Sequence, residues 1–167
     1  QVEEATPTVD REEFIYAFAI LVAADTCALI REAEKLFDRK ARRKDFEART
    51  WALKRLGETH SAADFSRAFR YLQGVGRTMG KFMQNHDVFL TATCGTPPPK
   101  PGDLSPQGLD RISVAALNLL PIQRLATRPG LVVKAAERSY DFMSRSPIAN
   151  ATGQPSISLP LHWNDAG

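Results

Sequence analysis

The chain has 167 residues, of which 43% are hydrophobic and 25% charged, and its net charge is +3. These proportions are those of a soluble globular domain. The 11 prolines, 10 glycines and two cysteines exclude a collagen-like chain, a disordered chain and a disulfide-stabilised miniprotein. The modest charge does not by itself indicate a nucleic-acid partner. With only two cysteines and no secretory signal, a reduced, cytoplasmic protein is the first expectation.

The first predicted helix begins at Asp10, which has Glu13 as its capping-box partner, and runs to about Phe37. Its apolar residues recur at spacings of three, four and seven, which is the pattern of an amphipathic or buried helix. The stretch 14–30 carries one charge, Asp25, and could mimic a membrane span. The uncharged run before Asp25 is too short to cross a bilayer, so we expect a largely buried helix of a soluble protein.

Two further helices are predicted before residue 86. Asp45 caps the second, which runs through Leu56 with Gly57 as its C-terminal stop, and Ser61 with Asp64 opens the third, which ends near Asn85. The third helix contains Gly-x-Gly-x-x-x-Gly over 74–80. Because no strand precedes these glycines, they do not form a dinucleotide fingerprint, and they predict close helix packing instead.

The pattern changes at Asp87. Residues 88–94 are short, apolar and β-prone and predict a buried strand, which the proline run over 97–102 follows as an extended loop. Helices are expected over 109–126, with a kink or end at Pro121, and over 131–143. Loop-like composition covers 144–155. Residues 2–6 predict the end of a strand, and residues 157–161 predict a last strand whose pairing Pro160 limits.

Few residue patterns point to chemistry on their own. The basic run 39–44 could bind phosphate, but no aromatic residues accompany it, and a solvated loop explains it better. Cys94 with His60 or His86 could form a nucleophile and base, although a lone cysteine is more often a small core residue. The three histidines do not have the spacing of metal ligands. The residues therefore predict no metal site and no cofactor.

Two stretches carry a family resemblance. The sequence Asp-Val-Phe-Leu-Thr-Ala-Thr at 87–93, followed by the proline run, resembles a strand and loop of the amidase signature family. The sequence Asn-Ala-Thr-Gly-Gln-Pro-Ser-Ile-Ser-Leu-Pro at 150–160 resembles that family's Asn-x-Thr-Gly-x-Pro segment. The Leu-His-Trp at 161–163 is similar to the branch that contains 6-aminohexanoate cyclic-dimer hydrolases.

The resemblance implies an α/β fold: a mostly helical part of the family's α/β/α architecture, with a few strands of an incomplete mixed sheet. It implies one partial domain over 1–167, with a helical region at 1–86 and the strand, loop and remaining helices at 87–167, truncated at both ends. Family members hydrolyse amides with a Ser–cis-Ser–Lys triad. Nothing here matches their Gly-Gly-Ser-Ser-Gly stretch or their lysine, so we expect no catalytic residues and an inactive piece of an active parent.

The resemblance also implies a substrate channel for a small-molecule amide. Its candidate wall residues are Thr93 and Cys94 at the strand end and Ser146, Ile148 and Ala149 in the loop before Thr-Gly-Gln-Pro. No nucleic-acid or membrane partner is expected, whereas unpaired strand edges predict self-association or a homodimer. The alternative is a helical protein-interaction module that has no enzyme parent.

Overall fold

The residues that the structure describes form six α-helices. The computed structural model describes residues 2–103, 105, 108–119, 127–143 and 145–160, and of residues 109, 110 and 113 it describes the backbone alone. The helices are α1 (Arg11–Leu36), α2 (Ala48–Gly57), α3 (Ala62–Phe82), α4 (Gly108–Leu119), α5 (Pro129–Met143) and α6 (Ser146–Thr152). Helix α1 contacts α2, α3 and α5, while α4 packs on α2 and α6 packs on α3.

The main core lies where α1 meets α3, α5 and α6. Ile15, Ile20 and Leu72 are at most 2% exposed. The ring of Tyr140 on α5 meets Phe14 edge to face, with 6.1 Å between the ring centroids. The first half of α1 is apolar around most of its circumference. This fits its position, because its buried residues lie on more than one side of the helix.

Helix α1 is also long and apolar enough to cross a membrane by length and composition alone. A core helix passes the same test, and in this structure α1 buries Phe14, Ile20 and Ile30 against other helices. Packing accounts for part of its apolar character, since 39% of its most apolar 18-residue stretch is buried and Leu29 is 57% exposed.

Two of the first three helices begin at the capping residues that the sequence predicts, and one does not. The Asp10 carboxylate accepts a hydrogen bond from the Glu13 backbone N–H at 2.8 Å, and α1 begins as predicted. Ser61 and Asp64 form the reciprocal capping box of α3. The predicted cap of α2 is wrong: Asp45 lies in a separate 3₁₀ turn and α2 starts later, at Ala48.

The predicted α/β fold with a mixed sheet is wrong for the part of the chain that the structure describes, where no strand occurs. The stretches 2–6, 88–94 and 157–160 lie outside any helix, without a β-ladder. Apolar, β-prone residues favour extended backbone, but a strand exists only where a neighbouring backbone pairs with it. Residue 161, the last of the predicted final strand, lies outside the described residues.

The helices of the second half differ in part from expectation. Helix α5 confirms the predicted 131–143 helix. The described part of α4 reaches Leu119, and residues 120–126 of the predicted helix, including Pro121, lie outside the described residues. The loop predicted over 144–155 is wrong, because α6 occupies 146–152. Pro147 fits its first turn, where a missing N–H costs nothing, and Gly153 ends it with a φ of 70°.

Candidate functional site

The segment 87–95 carries two of the predicted channel residues, and aromatic contacts hold its beginning against α3. The ring of Phe89 meets Phe82 edge to face, with 5.5 Å between centroids. The ring of His86 also stacks on Phe82, with 4.2 Å between ring centroids. These ring contacts therefore fix the direction in which the segment leaves the end of α3.

His86 also ties the N-terminal segment to this point. Its Nδ1 lies 2.8 Å from the Phe82 carbonyl oxygen and its Nε2 lies 2.6 Å from a carboxylate oxygen of Glu3. Both partners only accept hydrogen bonds, so both contacts form when the ring carries two protons. The Phe82 carbonyl, followed by the Glu3 carboxylate, raises the pKa of His86 above its ordinary value.

We therefore expect the attachment of Glu3 to weaken as pH rises. Because the folded-state pKa of His86 is raised, its stabilising contribution is complete below the unfolded value and disappears as pH rises through the folded value. His86→Gln should thus destabilise the protein more at about pH 5 than at about pH 8. Chemical denaturation at the two pH values measures this.

His60 provides an internal control in an NMR titration of the ring protons. Burial lowers the pKa of His60, so His86 should titrate at the higher pH of the two. Glu3→Gln should lower the His86 midpoint and leave that of His60 in place. A His86 midpoint that is unchanged by Glu3→Gln would contradict the contact.

The far end of the segment 87–95 contacts α5, α6 and the residues that follow Thr-Gly-Gln-Pro. The Ser146 hydroxyl donates to the Thr93 carbonyl oxygen at 2.8 Å, and the Thr93 and Ser158 hydroxyl oxygens are 3.1 Å apart. The Gly95 N–H donates to the Phe142 carbonyl oxygen at 2.8 Å. Two of the five predicted channel residues, Thr93 and Ser146, are thus in direct contact although 53 positions separate them.

The other three predicted residues have different environments. Cys94 is an exposed free thiol beside Thr93. Ile148 is 9% exposed and belongs to the main core, so most of its surface faces protein. Ala149 is half-buried, and its carbonyl oxygen accepts from the Gly153 and Gln154 N–H groups where α6 ends. The accessible polar surface here is therefore formed by Thr93, Cys94, Ser146 and Ser158.

The sequence did not predict that Ser158 and Phe142 contact the segment 87–95. Ser158 lies in the segment of the family resemblance, and the alternation of apolar and polar residues over 157–159 could have marked it as facing one side. The predicted end of a helix at 143 could have marked the Phe142 carbonyl oxygen as available, because the last four carbonyl oxygens of a helix have no partner within it.

The basic loop that follows α1 is built around two carboxylates. Arg39 pairs with Asp45 at 3.1 Å and Lys40 with Glu34 at 3.4 Å. Backbone N–H groups donate to both acids, which lowers the pKa of Asp45 and of Glu34. Part of the positive charge is thus neutralised within the loop.

Neither of two shallow grooves includes a predicted channel residue. One lies between the start of α2 and the proline-rich loop, and the other lies beside Phe46. Among the described residues, no group of three histidine, cysteine, aspartate or glutamate side chains is placed to hold a metal ion.

The polar junction at Thr93 joins the two stretches that carry the family resemblance, and a comparison with known proteins points the same way. The chain is similar to an amidase. A protein of Synechocystis sp. that bears the name "Putative amidase" is 29% identical over 113 residues, which are 67% of this chain and 18% of that protein. The match thus spans less than a fifth of the relative. No family model matches the chain. No solved structure matches it significantly.

Proposed function

We propose that this chain forms the C-terminal side of an amidase that hydrolyses carbon–nitrogen bonds of amides. The observation that carries the proposal is the similarity to the amidase of Synechocystis sp.. The contact between Thr93 and Ser146 supports it, because it brings together two segments proposed to line one substrate channel. The piece supplies scaffold and channel wall, and the reacting groups belong to the rest of the parent protein.

The chemistry proposed for the parent is acyl transfer to serine. A lysine, acting through a bridging serine, removes the proton of the nucleophilic serine, which attacks the amide carbonyl carbon. Backbone N–H groups hold the resulting oxyanion, the lysine returns the proton through the bridging serine to the nitrogen of the leaving amine, and water hydrolyses the acyl-enzyme. In this scheme Thr93, Cys94 and Ser146 contact the substrate outside the reacting centre and influence which acyl or amine groups fit.

The test has two arms. The purified 167-residue chain, incubated with an aryl amide, should release no aryl amine above the buffer rate, because it supplies no triad. The longer reading frame that contains this chain should encode a Gly/Ser-rich Ser-Ser-Gly stretch and an earlier lysine, and its product should hydrolyse the amide. Turnover by the short chain that a serine-directed probe abolishes contradicts the assignment of the triad to the parent. A reading frame without those residues contradicts the amidase.

The channel assignment has its own variants in the longer protein. Cys94→Phe adds bulk beside Thr93 at an exposed position and should raise KM for large amides more than for small ones. Thr91→Phe is the matched control, because Thr91 is exposed on the same segment and is not among the proposed wall residues. Equal effects of the two variants on all substrates would contradict the channel.

A helical interaction module remains the second candidate. The observation that favours it is that the described residues form helices without a strand. A native translation start near Gln1, with binding of a protein partner and no catalytic reading frame upstream, would support it.

A further inference from the structure

Three hydroxyl groups meet where the segment 87–95 approaches the residues that follow Thr-Gly-Gln-Pro. The Ser146 hydroxyl donates to the Thr93 carbonyl oxygen at 2.8 Å, and the Thr93 and Ser158 hydroxyl oxygens are 3.1 Å apart. Thr93 and Ser146 already have a place in the proposed channel wall, whereas Ser158 has none. Because Ser158 contacts the side chain of Thr93, it can influence a bound substrate through Thr93.

Two hydrogen bonds hold the backbone around Thr93. Its carbonyl oxygen accepts from Ser146, and the Gly95 N–H donates to the Phe142 carbonyl oxygen at 2.8 Å. Rotation about the Cα–Cβ bond is therefore the main freedom that remains at Thr93, and it decides which way the hydroxyl and the methyl group point. The contact with Ser158 selects the rotamer whose hydroxyl faces the residues after Thr-Gly-Gln-Pro.

The number of hydroxyl protons indicates what these side chains can offer a ligand. A serine or threonine hydroxyl has one proton to donate. Ser146 uses its proton on the Thr93 carbonyl oxygen, while Thr93 and Ser158 together use one of their two protons in the bond between them, whichever of them donates. Neither of these two hydroxyls makes a further hydrogen bond to another described residue. One O–H group thus remains, and it is accessible because both side chains are exposed.

We propose that Ser158 is a positioning residue for substrate recognition, which holds the Thr93 hydroxyl so that the pair donates one hydrogen bond to an acceptor oxygen of the substrate outside the scissile amide. The inference rests on the proposed function, because it requires Thr93 to line the substrate channel. The preferred substrates are then amides that carry an additional carbonyl oxygen in the acyl or amine part. A bound substrate excludes water, which strengthens both hydrogen bonds.

The first test measures the Thr93 rotamer in the 167-residue chain and requires no activity. The three-bond NMR couplings of the Thr93 side chain should report one rotamer in the wild type and an average over several rotamers in Ser158→Ala. Ser156→Ala is the matched control and should keep the wild-type couplings, because Ser156 is exposed two positions earlier and has no part in the hydroxyl contacts. Averaged couplings in the wild type overturn the proposal, and so do equal couplings in the wild type and Ser158→Ala.

The second test measures substrate preference in the longer protein. It compares a para-nitroanilide that has a hydrocarbon acyl chain with a set in which one ketone carbonyl occupies each chain position in turn. For the keto substrate that the wild type prefers most, Ser158→Ala should lower kcat/KM relative to the hydrocarbon substrate by about two- to tenfold, mainly through a higher KM. Ser158→Thr keeps a hydroxyl and should restore the wild-type ratio, and Ser156→Ala should not change it. A purely structural loss would lower kcat/KM for all substrates equally.

A double-mutant cycle shows whether Ser158 acts through Thr93. Thr93→Val removes the hydroxyl and should lower the same ratio, and the addition of Ser158→Ala should then lower it no further. Independent effects of the two substitutions overturn the role of Ser158 and leave the amidase in place, and so does a wild type that prefers none of the keto substrates. Absence of amide hydrolysis by the wild-type longer protein contradicts the proposed function itself, and the role of Ser158 with it.

Discussion

Gly57→Ala should destabilise the protein by about 2–3 kcal/mol, because it overpacks the contact between α1 and α2. A Cβ atom at Gly57 would lie 2.2 Å from the Ala23 carbonyl oxygen and 2.9 Å from Cys27 Cβ. Two of the nearest atoms belong to backbone inside α1, which cannot rotate away as a side chain does. The helices must therefore separate or α2 must shift along α1.

Gly80→Ala is the matched control on a neighbouring helix. Nothing lies within 4 Å of a Cβ atom at Gly80, which sits inside α3. Alanine there should stabilise the protein by up to about 1 kcal/mol through helix propensity. Urea unfolding followed by circular dichroism measures both variants. Equal and small changes for the two glycines would contradict the close approach of α1 and α2.

Leu72→Ala should cost about 3 kcal/mol, through lost apolar burial and the cavity it leaves. Leu72 is 2% exposed on α3 and lies in the main core with residues of α1, α5 and α6. The loss should appear as a lower urea midpoint with an unchanged slope, because the change removes packing without altering how much surface unfolds.

Phe69→Ala, one turn away on the same helix, tests whether burial is the cause. Phe69 is 46% exposed and stacks on Phe65 with 6.3 Å between centroids. Its ring is larger than the Leu72 side chain, yet its removal should cost less, because part of the ring is already in water. A greater loss for Phe69→Ala than for Leu72→Ala would show that the core is not where the structure places it.

The candidate site was predictable only as two separate stretches. Thr93 and Ser146 were selected from a resemblance, and their contact depends on where α6 begins, a helix that the composition did not reveal. Ile148 was selected by the same resemblance, but the structure places it in the core. Position in a motif does not determine which side of a short helix faces solvent.

The glycines also show what the sequence could not predict, which is the place where two helices approach closely. The Gly-x-Gly-x-x-x-Gly pattern predicted close packing at α3, but a Cβ at Gly74 or Gly76 would make only ordinary contacts and one at Gly80 none. The tight crossing is instead at Gly57, which the sequence marked simply as the end of a helix. Glycine permits a close approach, and only the partner helix determines whether one occurs.

The sequence by itself determined the local structure: Asp10, Ser61 and Asp64 fix where α1 and α3 begin, since a side chain caps the N–H groups of its own helix. The tertiary structure decided the features that depend on contacts between residues distant in the sequence. The apolar segments at 88–94 and 157–160 have the composition of strands, but no described backbone pairs with them, and they stay outside any sheet. A helix satisfies its hydrogen bonds within one segment, whereas a strand needs a second segment that its own residues do not specify.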